Sequence, residues 1–379
     1  MNLENSKLLN KKIILRTDFN IPIINGIIQS TNRIDKSIET INYILNQKPK
    51  QLIIISHLGR PCAYDKDLSL VIIKNYLQTI LNEYVDLCNL DNLSESTIIL
   101  LENIRFYKEE TKILNTTNDF RHKLTNLGDV FINDAFACSH RPHSSIIGIN
   151  TNEKYFGFLM RKELKFLNKC LDIDGNKTLI LGGSKINDKI KLIKNLIPKV
   201  DTILIGGGMA FTFLKYFKIN IGKSLFDEEG FKLITQIYEM ANKHKTKIIL
   251  PIDYVTNDNF SNEGNIQYFE IDIDESFMGL DIGERTCKKF INYLKDSDLI
   301  LWNGPLGVFE FDNFSNGSRT IMQYISNLEA TTIIGGGDTT SCCEKFHLEN
   351  KMNHVSTGGG ATLELLEGTK LSGVEFIIN

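Results

Sequence analysis

Glycine-rich turns follow four apolar segments in the second half of the chain. They are Gly182–Gly183, Gly206–Gly208, Gly335–Gly337 and Gly358–Gly360. Because glycine has no Cβ, backbone N–H groups in such a turn can approach an anion, and a following helix adds the positive end of its dipole. A single turn of this kind, such as HVSTGGGATLELLEG, is more often a flexible connection, and it lacks the G-K-[ST] ending of a P-loop. Four such turns at predicted strand ends indicate a nucleotide site, in which a base and a phosphate chain lie directly on the backbone.

Two lysines and one aspartate stand beside these turns. Lys185 and Lys189 are four residues apart at the start of a predicted helix in LGGSKINDKI, so both can face one way and meet phosphate oxygens. An isolated lysine is more often a solvated surface residue, but directly after a strand-ending Gly-Gly we favour phosphate binding. Asp338, in GGGDTT, is either the N-cap of the next helix or a ligand that holds Mg²⁺ together with the oxygens of a nucleotide.

Basic and polar residues take the place of glycine at the strand ends of the first half. Arginine binds carboxylates and phosphates bidentately, so several arginines at one edge of a sheet predict a pocket for a small molecule with several negative charges. Any one of them alone is more often a surface residue. The set is Asp18, Asn20, Arg33, His57, Arg60, Arg105, His140, Arg141 and His143.

His140 and His143 permit two other interpretations. Their spacing of three residues could serve a metal ion, but no supporting Cys, third His or H-E-x-x-H pattern accompanies them. Either could also be a catalytic base. A substrate carboxylate, however, is already an ionised nucleophile, and we therefore favour anion contact or a hydrogen bond in the core.

Short β-branched runs with helical patterns between them must position these residues, and this alternation is typical of βαβ units and parallel sheets. Because 379 residues exceed the usual size of one hydrophobic core, two domains are expected. The predicted strands lie within 11–20, 51–60, 96–105 and 129–136 in the first half, and 177–185, 201–210, 245–255, 297–307, 330–340 and 352–360 in the second.

A helix is predicted to join the two domains over residues 158–171. Its apolar stripe consists of Met160, Leu164, Leu167 and Leu171. The expected architecture is α/β, with two Rossmann-like parallel-sheet domains and a cleft that closes about hinges at the ends of this helix. The expected ranges are 1–157 for the anion-binding domain, 158–171 for the helix, 172–365 for the nucleotide domain, and 366–379 for a segment that returns to the first domain.

Composition argues against several classes of protein. A net charge of −3, 42% hydrophobic residues and 23% charged residues are ordinary for a globular protein and point to neither nucleic acid nor an anionic membrane. The first residues lack the apolar core of a secretory signal, and no apolar run approaches the length of a membrane span, so a cytoplasmic location is expected. Seven cysteines without a C-x-x-C pair predict neither a disulfide framework nor a zinc site.

Ten segments of the chain, in order, resemble the signatures of the phosphoglycerate kinase family. They are RTDFNIPI, SHLGRP, ENIRF, DAFACSHRPHSS, LGGSKINDKI, GGGMAFTFL, LDIGERT, LWNGPLGVFEFD, GGGDT and HVSTGGGATLELLEG. The resemblance implies a monomeric glycolytic kinase that transfers a phosphoryl group directly and reversibly between 1,3-bisphosphoglycerate with MgADP and 3-phosphoglycerate with MgATP. A nucleotide-dependent dehydrogenase fits less well, because no G-x-G-x-x-G follows an early strand. A nucleotide-binding protein without catalysis is a further alternative.

The resemblance also assigns residues to the two substrates. It implies that Arg33, Lys185, Gly359 and Gly360 act on the transferred phosphoryl group, that Glu310 contacts the ribose and that Asp338 works with Mg²⁺. The implied phosphoglycerate residues are Asp18, Asn20, Arg33, His57, Leu58, Gly59, Arg60, Arg105, His140 and Arg141. The implied nucleotide residues are Gly182, Gly183, Lys185, Lys189, Gly207, Gly208, Asn303, Pro305, Glu310, Gly336, Gly337, Asp338, Thr339 and Gly358.

One loop departs from the family pattern, which is roughly T-A-H-R-A-H. Here Cys138 and Ser139 precede the motif and Pro142 lies inside it. Proline fixes φ and removes an N–H donor, so we expect a stiffer or slightly displaced loop around Arg141.

Overall fold

The computed structural model describes residues 2–169 and 172–379, and they divide into two compact units. Unit 1 consists of the residues up to Lys165 together with Lys370–Asn379, and unit 2 consists of Phe166–Thr369. Each unit contains a six-stranded sheet in which all neighbouring strands are parallel. The predicted α/β class with two parallel-sheet domains is therefore confirmed.

The sheet of unit 1 has β1 near its centre. The strands are β1 (Lys12–Arg16), β2 (Ile23–Ile24), β3 (Ile27–Ile28), β4 (Gln51–Ile55), β5 (Asp86–Cys88), β6 (Ile98–Leu101), β7 (Val130–Asn133) and β8 (Glu153–Phe156). The helices are α1 (Asn32–Asn46), α2 (Val71–Leu81), α3 (Lys108–Thr111), α4 (Thr117–Thr125), α5 (Ser144–Ile147) and α6 (Phe158–Lys169), whose last four residues belong to unit 2. The order in the sheet is β5-β6-β4-β1-β7-β8. Every residue of β4 and β6 is buried, because both faces of these strands are covered, and this explains their continuous apolar sequences.

Unit 2 combines a parallel sheet with a small antiparallel one. Its strands are β9 (Lys177–Leu181), β10 (Thr202–Ile205), β11 (Lys247–Ile249), β12 (Asp253–Asn257), β13 (Gln267–Glu270), β14 (Met278–Ile282), β15 (Leu299–Asn303), β16 (Thr331–Gly335) and β17 (His354–Val355). Its helices are α7 (Ile190–Leu196), α8 (Met209–Tyr216), α9 (Glu228–Phe231), α10 (Ile234–His244), α11 (Glu284–Leu294), α12 (Asn316–Ile325), α13 (Gly337–Lys345) and α14 (Gly360–Leu366). The parallel order is β11-β10-β9-β15-β16-β17, and β13-β12-β14 form the antiparallel sheet.

The structure corrects one predicted strand and adds others. The run at 245–255 is two strands, β11 and β12, which belong to different sheets and are separated by Pro251. Proline cannot donate to a strand ladder, so the break falls there. The edge strands β5 and β8, the hairpin β2–β3 and the strands β13 and β14 were not predicted, since they are short or contain few consecutive apolar residues.

Within the range predicted for the joining helix, Phe158–Lys169 form helix α6. Met160 and Leu167 of its stripe are buried, whereas Leu171 lies outside the described residues. The first N–H groups of α6 are capped by side chains from elsewhere in unit 1: Phe158 N donates to Thr40 Oγ1 at 2.9 Å and Met160 N donates to Asp134 Oδ1 at 3.0 Å.

The last helix, α15 (Ser372–Ile378), packs within unit 1. The Gly373 N–H donates to the Ser139 carbonyl at 2.8 Å, and Lys154 Nζ donates to the Phe376 carbonyl at 3.1 Å. Ser139 immediately precedes His140, so the end of the chain supports the loop that carries the HRPH motif. No helix of the described residues is long and apolar enough to cross a bilayer.

Candidate functional site

Four neighbouring strands of unit 1 lead into the predicted anion-binding residues. Asp18 and Asn20 follow β1, His57 follows β4, Arg105 follows β6 and Arg141 follows β7. The strands lie side by side in the order β6-β4-β1-β7, and parallel strands end at the same edge of a sheet. The structure therefore brings these residues of the first half to one edge.

Asp18 is a buried carboxylate at the centre of this edge. Arg33 Nη1 donates to Asp18 Oδ2 at 2.9 Å and to the Asn20 carbonyl at 3.2 Å, and the Asn20 N–H donates to Asp18 Oδ1 at 3.0 Å. Burial alone would raise the pKa of Asp18, but the Arg33 charge and the Asn20 amide hold it below its ordinary value. Asp18 is therefore ionised at neutral pH and fixes the direction of the Arg33 guanidinium.

His57 is buried beside Asp18 and carries no charge at neutral pH. Its Nδ1 lies 3.9 Å from Asp18 Oδ1 and 3.5 Å from Arg16 Nη2. Burial, reinforced by the charges of Arg16 and Arg105, lowers the pKa of His57 well below its usual range although Asp18 opposes the shift. Positive charge at this edge consequently comes from arginines, and His57 can offer a substrate only hydrogen bonding.

The loop after β4 is held by residues of two neighbouring loops. The Gly59 N–H donates to Asn20 Oδ1 at 2.8 Å, and the Gly59 carbonyl accepts from Arg105 Nη1 at 2.6 Å. The Leu58 carbonyl accepts from Asn103 Nδ2 at 2.7 Å. Within the described chain, Nε of Arg105 is buried without a hydrogen-bond partner. A buried donor of this kind is costly unless a ligand satisfies it.

The remaining basic residues of the first half differ in position. Arg60 is exposed, and Arg141 is half-buried with its Nε donating to His140 Nε2 at 3.0 Å. His143 is buried, and its Nδ1 lies 3.8 Å from Glu110 Oε1. Burial and the charge of neighbouring arginines lower the pKa of His143 to about 3, so this residue belongs to the interior and is uncharged.

A buried ionic network that the sequence did not predict lies under this edge. Arg16 has no exposed surface, its Nε donates to Ser145 Oγ at 2.7 Å and its Nη2 lies 3.8 Å from Glu110 Oε1. Glu110 in turn accepts from the Ser145 N–H at 2.8 Å and from Ser145 Oγ at 2.7 Å. The available signal was an arginine that ends an apolar strand, KKIILR, where a buried charge requires a buried partner.

Asp18, His57 and Cys138 offer ligand atoms within 4.8 Å of one another, a spacing that a metal ion could use. The positive charges of Arg16 and Arg33 lie beside two of these residues, Arg16 beside His57 and Arg33 beside Asp18. Burial also raises the pKa of the Cys138 thiol to about 12, so it stays protonated. These charges favour an anion over a cation here.

The glycine-rich turns of unit 2 meet at the carboxyl edge of its parallel sheet, as predicted. A Cβ on Gly207, whose φ is +61°, would lie 2.6 Å from the Gly183 nitrogen, and a Cβ on Gly182 would lie 2.0 Å from the Pro305 carbonyl oxygen. The Gly182 N–H donates to the Asn303 carbonyl at 3.0 Å and the Gly183 N–H donates to the Pro305 carbonyl at 2.9 Å. Glycine is required at these positions because three loops pack backbone against backbone.

Lys189 is half-buried among these loops. Its Nζ donates to the Asn303 carbonyl at 3.2 Å and also bonds Asn303 Oδ1. The Asn303 amide donates to the Gly335 carbonyl at 2.9 Å and so ties two loops together. Burial lowers the pKa of Lys189 to about 8, although Asp338 opposes the shift. Lys185, by contrast, is exposed.

Helix α13 begins at the third glycine turn. Gly336, with φ +94°, occupies the N-cap position, so Asp338 is not the N-cap; it lies exposed in the first turn. Thr339 Oγ1 accepts from the Gly304 N–H at 2.6 Å. The fourth turn leads into α14, with Gly359 at the cap and φ +50°. A Cβ on Gly337 or Gly359 would meet nothing within 4 Å, so both face open space.

A cavity of about 460 Å³ opens beside the glycine turns of unit 2. Its walls are mainly apolar, with Glu310 among the few acidic groups. The lining includes Gly183, Gly207, Gly208, Phe211, Leu225, Tyr254, Met278, Leu280, Pro305, Val308 and Glu310. Several of these residues come from β12 and β14, which is why the sequence did not reveal the apolar half of the site. An apolar slot next to a glycine-rich edge suits a flat base with a phosphate chain.

Comparison with known proteins agrees with this arrangement across both units. The family model described as phosphoglycerate kinase matches residues 3–369. Phosphoglycerate kinase of Plasmodium falciparum is 42% identical to this chain, and the match covers 98% of this chain and 96% of the relative. Phosphoglycerate kinase of Drosophila melanogaster is also 42% identical, and the match covers 99% of this chain and 97% of the relative. The structure of phosphoglycerate kinase from Coxiella burnetii is 34% identical, with a TM-score of 0.89 over 100% of this chain and 98% of its own. The chain therefore belongs to the phosphoglycerate kinase family of glycolytic phosphotransferases.

Proposed function

We propose that unit 1 binds the phosphoglycerate and unit 2 binds the nucleotide during reversible phosphoryl transfer between 1,3-bisphosphoglycerate with MgADP and 3-phosphoglycerate with MgATP. The observation that carries the proposal is the arginine-rich edge of unit 1. There Arg33 is held by Asp18 at 2.9 Å, and Arg105 keeps a buried, unpaired Nε donor within the described chain. Guanidinium groups oriented in this way bind carboxylate and phosphate oxygens bidentately. We assign Asn20, His57, Leu58, Gly59, Arg60, His140 and Arg141 to the same substrate.

The nucleotide is assigned to the 460 Å³ cavity and the adjoining turns of unit 2. Its base would lie against the apolar wall, with the ribose near Glu310. Its phosphate chain would lie near Lys185 and Lys189, since an ammonium group beside open glycine turns attracts phosphate oxygens. The further assigned residues are Gly182, Gly183, Gly207, Gly208, Asn303, Pro305, Gly336, Gly337, Asp338, Thr339 and Gly358.

Catalysis in this scheme is mainly positioning and charge neutralisation. The carboxylate of 3-phosphoglycerate is already ionised, so it can attack the terminal phosphorus of ATP without a base. Arg33 and Lys185 would neutralise charge on the transferred group, and the amides of Gly359 and Gly360 would donate to its oxygens. The open space at Gly359 supports this placement.

The residues around Asp338 fit a magnesium ion that arrives with the nucleotide. Asp338 is an exposed carboxylate in the first turn of α13, and it lies near enough to Lys189 to influence its pKa. Mg²⁺ commonly takes one carboxylate from the protein and its other ligands from phosphate oxygens and water. When bound, the ion would neutralise part of the phosphate charge.

The donor and acceptor are assigned to different units, so transfer requires the units to bring them together. We propose that the units close when both substrates are bound, and that one chain suffices because it supplies both sets of residues. Small-angle scattering would show a smaller radius of gyration with both substrates than with either alone. An unchanged radius in the ternary complex would contradict closure.

A coupled assay tests the proposed reaction directly. Purified protein would receive Mg²⁺, ATP and 3-phosphoglycerate, with glyceraldehyde-phosphate dehydrogenase and NADH to consume the acyl phosphate. Replacing Lys185 or Arg33 with alanine should lower kcat by about 10²- to 10³-fold, which is typical for one preorganised charge-stabilising donor. Lys243→Ala, at an exposed position on α10, is the control.

Activity within about threefold of the parent in Lys185→Ala and Arg33→Ala would contradict the catalytic roles of Lys185 and Arg33. ATP binding without turnover by the parent would instead indicate a binding protein.

A further inference from the structure

One lysine on the wall of the 460 Å³ cavity has no role in the assignment above. Among the described residues that line this cavity, Lys223 supplies the one cationic side chain. Asp281 and Glu310 are the acidic side chains on the same wall. A nucleotide brings several negative charges to this cavity, so the position of the lone cation matters for its affinity.

Lys223 belongs to the segment 221–227, which we call the rim segment. The Lys223 N–H donates to the Phe277 carbonyl at 2.7 Å, and Ser224 Oγ accepts from the Gly279 N–H at 2.8 Å. These bonds join the rim segment to the start of β14, which forms part of the cavity wall. The backbone of Lys223 is therefore fixed relative to the cavity.

The other end of the rim segment is tied to the loop that carries the phosphate-binding lysines. The Asp227 N–H donates to Thr212 Oγ1 at 3.0 Å, and Asp227 Oδ2 accepts from the Asn187 N–H at 3.0 Å. Asn187 lies between Lys185 and Lys189 in the sequence. The rim segment thus runs from the apolar cavity to the loop assigned to the phosphate chain.

The side chains of residues 223–225 point alternately towards and away from the cavity. Lys223 and Leu225 line the cavity, whereas Ser224 between them is buried and bonded to β14. A Leu225 methyl carbon lies 3.0 Å from the position that a Cβ on Gly208 would take, so this side of the segment approaches a glycine turn. Lys223 is exposed, and in the described structure no carboxylate forms an ion pair with it.

We propose that Lys223 contacts the phosphate chain of the bound nucleotide and makes the cavity favour phosphorylated ligands over nucleosides. This inference rests on the assignment of the cavity to the nucleotide. An unpaired ammonium at the mouth of an apolar slot attracts anions without having to break an existing ion pair. It also offsets the repulsion between phosphates and the carboxylate of Glu310.

Binding measurements on single variants of the full chain test the proposal. Lys223→Met keeps the length of the side chain and removes its charge, whereas Lys223→Arg keeps the charge. Lys243→Met is the matched control, since Lys243 is exposed on α10 and does not line the cavity. Calorimetric titration with MgADP gives the dissociation constant, and inhibition of turnover against ATP gives the affinity for adenosine.

The MgADP affinity of Lys223→Met should fall about 3- to 5-fold, the upper range for an exposed charge pair, while its adenosine affinity stays unchanged. Lys223→Arg and Lys243→Met should bind MgADP like the parent, and the loss of affinity in Lys223→Met should shrink at high salt.

An MgADP affinity of Lys223→Met within about 1.5-fold of the parent would overturn the proposal. An equal loss of adenosine affinity would also overturn it, because the lysine stem would then contact the base. Lys223→Gln provides a second neutral variant if Lys223→Met fails to fold. Failure of the parent itself to bind MgADP would refute the nucleotide assignment instead.

Discussion

The lowered pKa of Lys189 makes nucleotide binding depend on pH above neutrality. Lys189 is packed among the loops after β9, β15 and β16, and burial brings its pKa from 10.5 to about 8. The charged form is therefore dominant below pH 8 and is lost as the pH rises through that value. A phosphate chain near Nζ favours the charged form, so binding and protonation are linked. Phosphate groups are already fully ionised above pH 8 and do not obscure the effect.

The size of the effect follows from the pKa. If the nucleotide binds only the charged form of Lys189, its apparent dissociation constant is multiplied by 1 + 10^(pH − 8), which is about 1.1 at pH 7 and about 11 at pH 9. The same linkage predicts that binding takes up about 0.1 proton at pH 7 and about 0.9 proton at pH 9. Both numbers are upper limits, because a neutral Lys189 still donates hydrogen bonds.

Calorimetric titration with MgADP at pH 7, 8 and 9, in two buffers with different ionisation enthalpies, measures the affinity and the proton uptake together. Lys189→Arg keeps its charge and Lys189→Met has none, so the affinity of each should be independent of pH over this range. As the pH rises, the MgADP affinity of the parent should change from that of Lys189→Arg towards that of Lys189→Met. An equal dissociation constant at pH 7 and pH 9 in the parent, with no proton uptake at pH 9, would refute the reasoning.

Two further predictions concern stability. The pKa of Asp134 is raised by burial from 3.8 to about 6, so the folded state binds more protons than the unfolded state between these values, and stability falls by about 3 kcal/mol as the pH rises through them. Asp134→Asn keeps the acceptor for Met160 N and should remove this slope in urea unfolding between pH 4 and pH 7; equal slopes in both proteins would contradict the pKa. Gly207→Ala should cost about 1 to 3 kcal/mol, since the φ of +61° and the 2.6 Å approach to Gly183 N both exclude a Cβ. Gly337→Ala, whose Cβ would meet nothing, is the control, and an equal small loss in both would show that the loops rearrange freely.

Much of the fold could be predicted because its central strands are buried along their whole length. Burial on both faces requires continuous apolar sequence, and β4 and β6 show it plainly. The antiparallel strands β13 and β14 were missed, since β13 has three exposed residues of four and β14 has two partly exposed ones. Local pattern alone does not reveal strands that are only partly covered.

The residues at the strand ends of the site could be predicted, but the buried contacts that hold them and the apolar wall of the cavity could not. Asp18, His57 and Arg105 were found because each follows an apolar run, and the sheet order then placed them together. Arg16 was missed, because its burial depends on Ser145, which is 129 residues away in the sequence. The apolar wall of the cavity and Lys223 were missed for a similar reason. They come from segments whose approach to the glycine turns is decided by tertiary packing.

The two units attract anions by different physical means, and this difference should appear in the pH dependence of each substrate. In unit 1, His57 and His143 are held neutral by burial and by nearby arginines, so neither changes its charge above pH 7. The positive charge there comes from guanidinium groups, which stay protonated in this range. In unit 2 the partly buried ammonium of Lys189 titrates near pH 8. Between pH 7 and pH 9 the KM for 3-phosphoglycerate should therefore stay constant while the KM for ATP rises. A parallel rise of both would mean that the titrating group acts on the reaction itself, and it would contradict the assignment of Lys189 to the nucleotide alone.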